Sequence, residues 1–105
     1  EGGVQKDGPS AGVVLALVIY SVLTNKKISN QYAMTGEISL TGQIYAIGGL
    51  REKLYACVQN GIKNVIVPAE NKKDIGFLPA EIVEKLDIHY VNNFDEVLKL
   101  AIVGE

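Results

Sequence analysis

From Ala11 to Leu23 the chain reads AGVVLALVIYSVL, apolar at almost every position. No polar stripe recurs at helical spacing, so the run predicts a helix buried on most of its faces, not an amphipathic surface helix. The polar stretch Thr24-Asn25-Lys26-Lys27 ends it near Thr24, with cations where the C-terminal end of a helix dipole favours them. Tyr32 to Ile47 (YAMTGEISLTGQIYAI) is rich in β-formers and repeated glycine. It predicts strands near 32–39 and 43–47, joined as a hairpin about Leu40-Thr41-Gly42-Gln43. Gly48-Gly49 breaks the strand, and Leu50, Leu54, Ala56, Cys57 and Val58 then recur at mostly helical spacing. That spacing predicts a helix over 50–60 with Gly61 at its C-terminal cap.

Lys63-Asn64-Val65-Ile66-Val67-Pro68 is a short apolar run closed by proline, the pattern of a buried strand. Ala69 to Asp74 reads as a turn or short helix, and a third helix follows Pro79 over Ala80 to Lys85. Asp87 to Val91 reads as a strand. Asn93-Phe94-Asp95-Glu96 opens a last helix with a cap residue and early acids before Val97, Leu98, Leu100, Ala101 and Ile102. Strands and helices alternate through this half, which argues for βαβ units with at least partly parallel pairing. The fold class is therefore α/β (α+β), mixed sheets with helices packed on them. No internal repeat, low-complexity tract or dividing linker occurs, and 105 residues make one domain at most.

Composition narrows the function. A charged fraction of 21% and a formal charge of −2 give no basic face for nucleic acid. The apolar run after Ala11 is about 13 residues, short of the roughly 20 that span a bilayer, so no membrane anchor is expected. One cysteine, Cys57, cannot form an internal disulfide, and a reducing, cytoplasmic setting is expected. The chain begins Glu1-Gly2-Gly3 with neither initiator methionine nor signal peptide and reads as a piece of a longer protein.

Chemistry concentrates in Lys6-Asp7-Gly8-Pro9-Ser10-Ala11-Gly12. Gly8 opens backbone angles closed to other residues and Pro9 fixes φ, so the chain turns sharply and leaves the Ser10 hydroxyl at the start of the apolar helix. One reading makes Ser10 a helix N-cap. The other makes it a nucleophile, with helix-start amides ready for an oxyanion. A nucleophilic serine needs a base. The single histidine, His89, sits inside a predicted strand with no acidic partner nearby in sequence and is a poor candidate. A lysine serves if its surroundings lower its pKa from about 10.4 toward neutrality. Lys53 lies one turn into its helix beside Gly49, Leu50 and Cys57, so its stem could rest on the core with its amine toward a cleft, but on its residues alone a helix lysine is far more often solvated than a base. Asp7 could order the loop through Asx hydrogen bonds or pair with a lysine. Glu37 and Glu52 have no second acid at metal-ligand spacing, and no CxxC, HExxH or phosphate-binding Walker loop occurs.

KDGPSAG at 6–12, followed by MTGEISLTGQIYAIGGLREK at 34–53, resembles the proteolytic domain of the Lon family of ATP-dependent proteases. The likeness continues more loosely through GIKNVIVPAENKKDI and LDIHYV and covers nearly the whole chain. It implies the Lon protease-domain fold, akin to domain 2 of ribosomal protein S5, with residues 1–105 a partial domain whose further strands, and an ATPase domain, lie upstream. It implies a serine endopeptidase that hydrolyses unfolded or damaged proteins through a Ser/Lys dyad. The family's catalytic lysine ends a GGLxEK segment; the carry-over lands on Ser10 and Lys53, 43 positions apart (53 − 10). Thr35 of MTGE would hydrogen-bond and aim the lysine amine, although a strand-filling β-former is an equal reading. Asp7 and Gly8 would support the loop. The resemblance further implies a hexameric ring and no cofactor on this chain, ATP and Mg²⁺ being used by the ATPase domain. The rival function is a non-proteolytic oligomerisation scaffold of a larger ATPase.

Overall fold

In the computed structural model, residues 12–103 are described. Helix α1 spans Gly12–Thr24. It stops where the sequence predicts, because Asn25 adopts a left-handed φ of 59° and the Lys26 amide donates back to the Ser21 carbonyl at 3.2 Å. That six-to-one closure is the Schellman form of helix end. Strand β1 (Lys27–Ile28) follows, then β2 (Tyr32–Met34), β3 (Glu37–Ile38) and β4 (Ile44–Tyr45). Helix α2 covers Leu50–Gln59 and closes the same way, with Gly61 at φ 74° and the Ile62 amide donating to the Cys57 carbonyl at 2.9 Å. Strand β5 (Asn64–Pro68) leads through a tight turn, Ala69–Asn71, into the short helices α3 (Lys72–Ile75) and α4 (Ala80–Val83). Strand β6 (Asp87–Val91), α5 (Phe94–Ala101) and β7 (Ile102–Val103) complete the described residues. The Asn93 side chain caps α5 by accepting from the Glu96 amide, as the sequence predicts.

The central sheet is parallel, in the order β2-β5-β6. Side chains alternate across it. Ile66 and Val91 face a core built with Val13 and Leu17 of α1 and Val97 and Ala101 of α5. Val65 and Val67 face a second core built with Leu50, Leu54 and Cys57 of α2 and Ile82 of α4. Helices cover both faces, which is what a parallel sheet requires and why its middle strand reads as a continuous apolar run. Burial pushes the Cys57 thiol above its ordinary pKa, leaving little thiolate at neutral pH.

Two expectations are corrected, and one strand pair is new. The strand over 32–39 is two strands in different sheets: β2 pairs with β5, whereas β3 pairs antiparallel with β4. The break is at Gly36, whose φ of +140° few side chains can adopt. Helix α1 is buried along one stripe only. Val13 and Leu17 are covered by β1, β3 and the core beneath, while Leu15, Ile19, Val22 and Leu23 are exposed. Strands β1 and β7, which pair antiparallel, were not predicted: two residues cannot display a period.

Candidate active site

In a parallel sheet, ligands bind outside the carboxyl ends of the strands. Here Thr35 follows β2, Glu70 and Asn71 follow β5, and Asn92 and Asn93 follow β6, all at that edge. Thr35 continues the β2–β5 ladder, its amide donating to the Ile66 carbonyl at 3.1 Å. At Gly36 three elements meet. A Cβ there would lie 3.1 Å from Ile44 Cγ2 and Pro68 Cγ and 3.2 Å from Val13 Cγ2. The Gly36 carbonyl in turn accepts the Val13 amide at 3.2 Å, which ties the start of α1 to the residue after Thr35.

Ser10, Asp7 and Gly8 lie outside the described residues. Gly12, two positions after Ser10, packs against the Gly36–Ile38 backbone, 3.5 Å from the Ile38 nitrogen when given a Cβ. The two motif segments therefore meet: the end of KDGPSAG sits on the MTGEIS strand break.

Thr35 is 6% exposed, and its Oγ1 has no hydrogen-bond partner among the described residues. The expected hydrogen bond from Thr35 to the Lys53 amine is not formed. Lys53 stands on the first turn of α2, its amide donating to the Gly49 carbonyl at 3.3 Å, with an exposed side chain. Its stem is not held on the core as its neighbours suggest, because Leu50, Leu54 and Cys57 occupy the buried face. Beside it, a cavity of about 430 Å³ is lined by Gly48 to Glu52 of the α2 start and by Asp74, Phe77 and Leu78 across from them. Arg51, Glu52 and Asp74 put charge on walls that Leu50, Phe77 and Leu78 make apolar. His89 sits in β6, within reach of Asn64 Oδ1 at 3.3 Å and edge-on to Tyr32. No group of three or more His, Cys, Asp or Glu placed to hold a metal occurs among the described residues, and no helix there is long and apolar enough to cross a membrane.

Sequence reasoning passed over Asn71, read only as part of a turn or short helix. It is 1% exposed and holds the Ile47 peptide from both sides: its Oδ1 accepts the Ile47 amide and its Nδ2 donates to the Ile47 carbonyl, each at 3.0 Å. An uncharged amide three residues after the proline that closes a buried strand was the available signal.

The geometry defines a mixed α/β domain with its polar residues gathered at the carboxyl edge of a parallel sheet, beside the starts of two helices. Residues 1–104 match the sequence pattern of the Lon protease (S16) C-terminal proteolytic domain, and the chain belongs to that family. It is 48% identical over 105 residues to the Lon protease of Escherichia coli (strain K12), covering 100% of this chain. It is likewise 48% identical over 103 residues to that of Wolbachia pipientis subsp. Culex pipiens (strain wPip), and 49% over 102 residues to Lon protease 1 of Hydrogenovibrio crunogenus. The chain spans about 13% of the length of the Escherichia coli and Wolbachia proteins.

Proposed function

We propose that this chain is the part of a Lon-type serine endopeptidase that carries its Ser/Lys dyad, with Ser10 as nucleophile and Lys53 as general base. The supporting observation is the meeting of the α1 start with Thr35 and Gly36, where a buried hydroxyl has no hydrogen-bond partner among the described residues. Neutral Lys53 takes the Ser10 proton as Oγ bonds to the substrate carbonyl carbon, whose π pair moves to oxygen. Collapse breaks the C–N bond, and the Lys53 ammonium gives its proton to the departing amine. Water then attacks the ester, passing a proton to Lys53, and the second collapse releases the acid and returns the proton to Ser10. Backbone amides at the start of α1 meet the oxyanion, with the field of the helix N-terminus adding to them. Gly8 makes the turn that presents Ser10, Asp7 orders that loop, and Thr35 Oγ1 accepts from the lysine amine once substrate closes the site.

On this reading the substrates are unfolded or damaged proteins, the assembly is a hexameric ring, and the setting is cytoplasmic. ATP and Mg²⁺ serve an ATPase domain upstream, and this chain uses no cofactor of its own. The test is covalent: a serine-directed acylating or phosphonylating probe, applied to the intact protein and followed by peptide mapping, leaves its adduct on Ser10. An adduct elsewhere overturns the dyad, and no adduct in an assembled protein favours the oligomerisation scaffold.

Thr35→Val supplies a second check. Valine keeps the approximate shape and removes a hydroxyl that has no partner among the described residues, so the variant should fold with a stability within about 1 kcal/mol of the parent. Peptide cleavage by it should fall by about 10–100-fold, the usual effect of removing a group that orients a catalytic side chain. Unchanged cleavage would make Thr35 a strand filler.

A further inference from the structure

Helix α2 presents Lys53 only if its start is fixed, yet that start is Gly48-Gly49, two residues that resist conformational change least. The segment before them, Ala46-Ile47, lies beyond the end of β4 and is gripped by side chains instead of a strand. Glu70 Oε1 accepts the Ala46 amide at 3.1 Å, and Asn71 holds both the amide and the carbonyl of Ile47. Asn71 also donates from Nδ2 to Asp74 Oδ2 at 2.9 Å. A carboxylate can only accept, so Asp74 settles which end of the Asn71 amide faces it and leaves Oδ1 turned to the Ile47 amide. The bonds cross 24 positions of sequence and join the carboxyl end of β5 to the residue before the Gly48-Gly49 turn.

We propose that Asn71, oriented by Asp74, is a positioning residue that fixes the α2 start and thereby the direction in which Lys53 is presented. This rests on the dyad reading above. The amide mimics a neighbouring strand at the point where β4 pairing has ended, so the glycine pair turns from a fixed anchor and not from a free end. Two further features place the clamp at the site: Asp74 lines the cavity across from Gly48 to Glu52, and Asn71 follows Pro68, which packs on Gly36 beside Thr35. A lysine carried on a loosened turn keeps its chemistry and loses its aim.

The experiment is steady-state peptide cleavage by the intact protein carrying Asn71→Ala, Asn71→Asp, Asp74→Ala, or Asn71→Asp with Asp74→Asn. Misplacing a catalytic group by about 1 Å costs about a hundredfold in rate, so Asn71→Ala should lower kcat by about that factor with KM within about twofold. The exchanged pair keeps an acceptor for the Ile47 amide and a bond between positions 71 and 74, whereas Asn71→Asp alone sets two carboxylates against each other. It should therefore recover about tenfold over Asn71→Asp, a coupling that independent sites do not show. Val97→Ala, cutting the core on the other face of the sheet, is the control for lost stability and should leave kcat unchanged at a matched unfolding temperature. Should Asn71→Ala fail to fold, Asp74→Ala decides by the same split. A kcat for Asn71→Ala within about threefold of the parent, or a loss equal to that of Val97→Ala, overturns the proposal. If Ser10→Ala and Lys53→Gln also retain cleavage, the dyad falls with it; if they abolish cleavage, only the clamp is wrong.

Discussion

Lys53→Gln and Ser10→Ala should each lower peptide cleavage by about 10⁴-fold to 10⁶-fold, with the protein still folded and assembled. A serine hydroxyl attacks a carbonyl only as its proton leaves, and an amide side chain cannot take that proton. Lys53→Arg sharpens the result. Guanidinium keeps the positive charge but is never deprotonated in a protein, so Arg should be as inactive as Gln if Lys53 is the base. It should restore much of the rate if the lysine contributes charge alone. Lys73→Gln, exposed on α3, is the control and should cleave at the parent rate. Single-turnover acylation separates the chemistry from product release, and the parent, both Lys53 variants and Ser10→Ala are read in that assay. Cleavage by Lys53→Gln within about tenfold of the parent would remove Lys53 from the mechanism.

Gly36→Ala should destabilise the fold by about 3 kcal/mol, lowering the midpoint of urea unfolding while leaving its slope unchanged. Two costs combine. The φ of +140° is closed to side chains, a strain of about 1–3 kcal/mol. The new methyl would also meet Ile44, Pro68 and Val13 at 3.1–3.2 Å, and these belong to three different elements that cannot all retreat, which adds overpacking of about 1–3 kcal/mol. Gly76→Ala is the contrast. Gly76 has helical angles, φ −63° and ψ −17°, and open space about its Cβ position, so alanine there should stabilise by about 0.4–1 kcal/mol. Equal effects at the two glycines would mean that the strand break at Gly36 is not held by these contacts. Because Thr35 precedes Gly36, cleavage by any folded Gly36→Ala protein should fall as well.

What the chain alone determined was local. The ends of α1 and α2, the Asn93 cap of α5, the β3–β4 hairpin and the parallel placement of the apolar Val65–Val67 run were legible, because each is set by residues within a few positions or by a composition only one setting tolerates. The family was legible too, in two motifs at a fixed separation. Tertiary structure decided the rest. Glycine at 36 could have been one more flexible point in a long strand; contacts with Val13, Ile44 and Pro68 made it the break between two sheets. The apolar run of α1 named no inward face, since every face was equally greasy, and the stripe at Val13 and Leu17 was chosen by what packs beneath it. The β1–β7 pair joins residues 27 and 103, and the Asn71 grip on Ile47 spans 24 positions. Local propensity and periodicity carry no record of partners so distant; only closing the chain around its two cores brings them together.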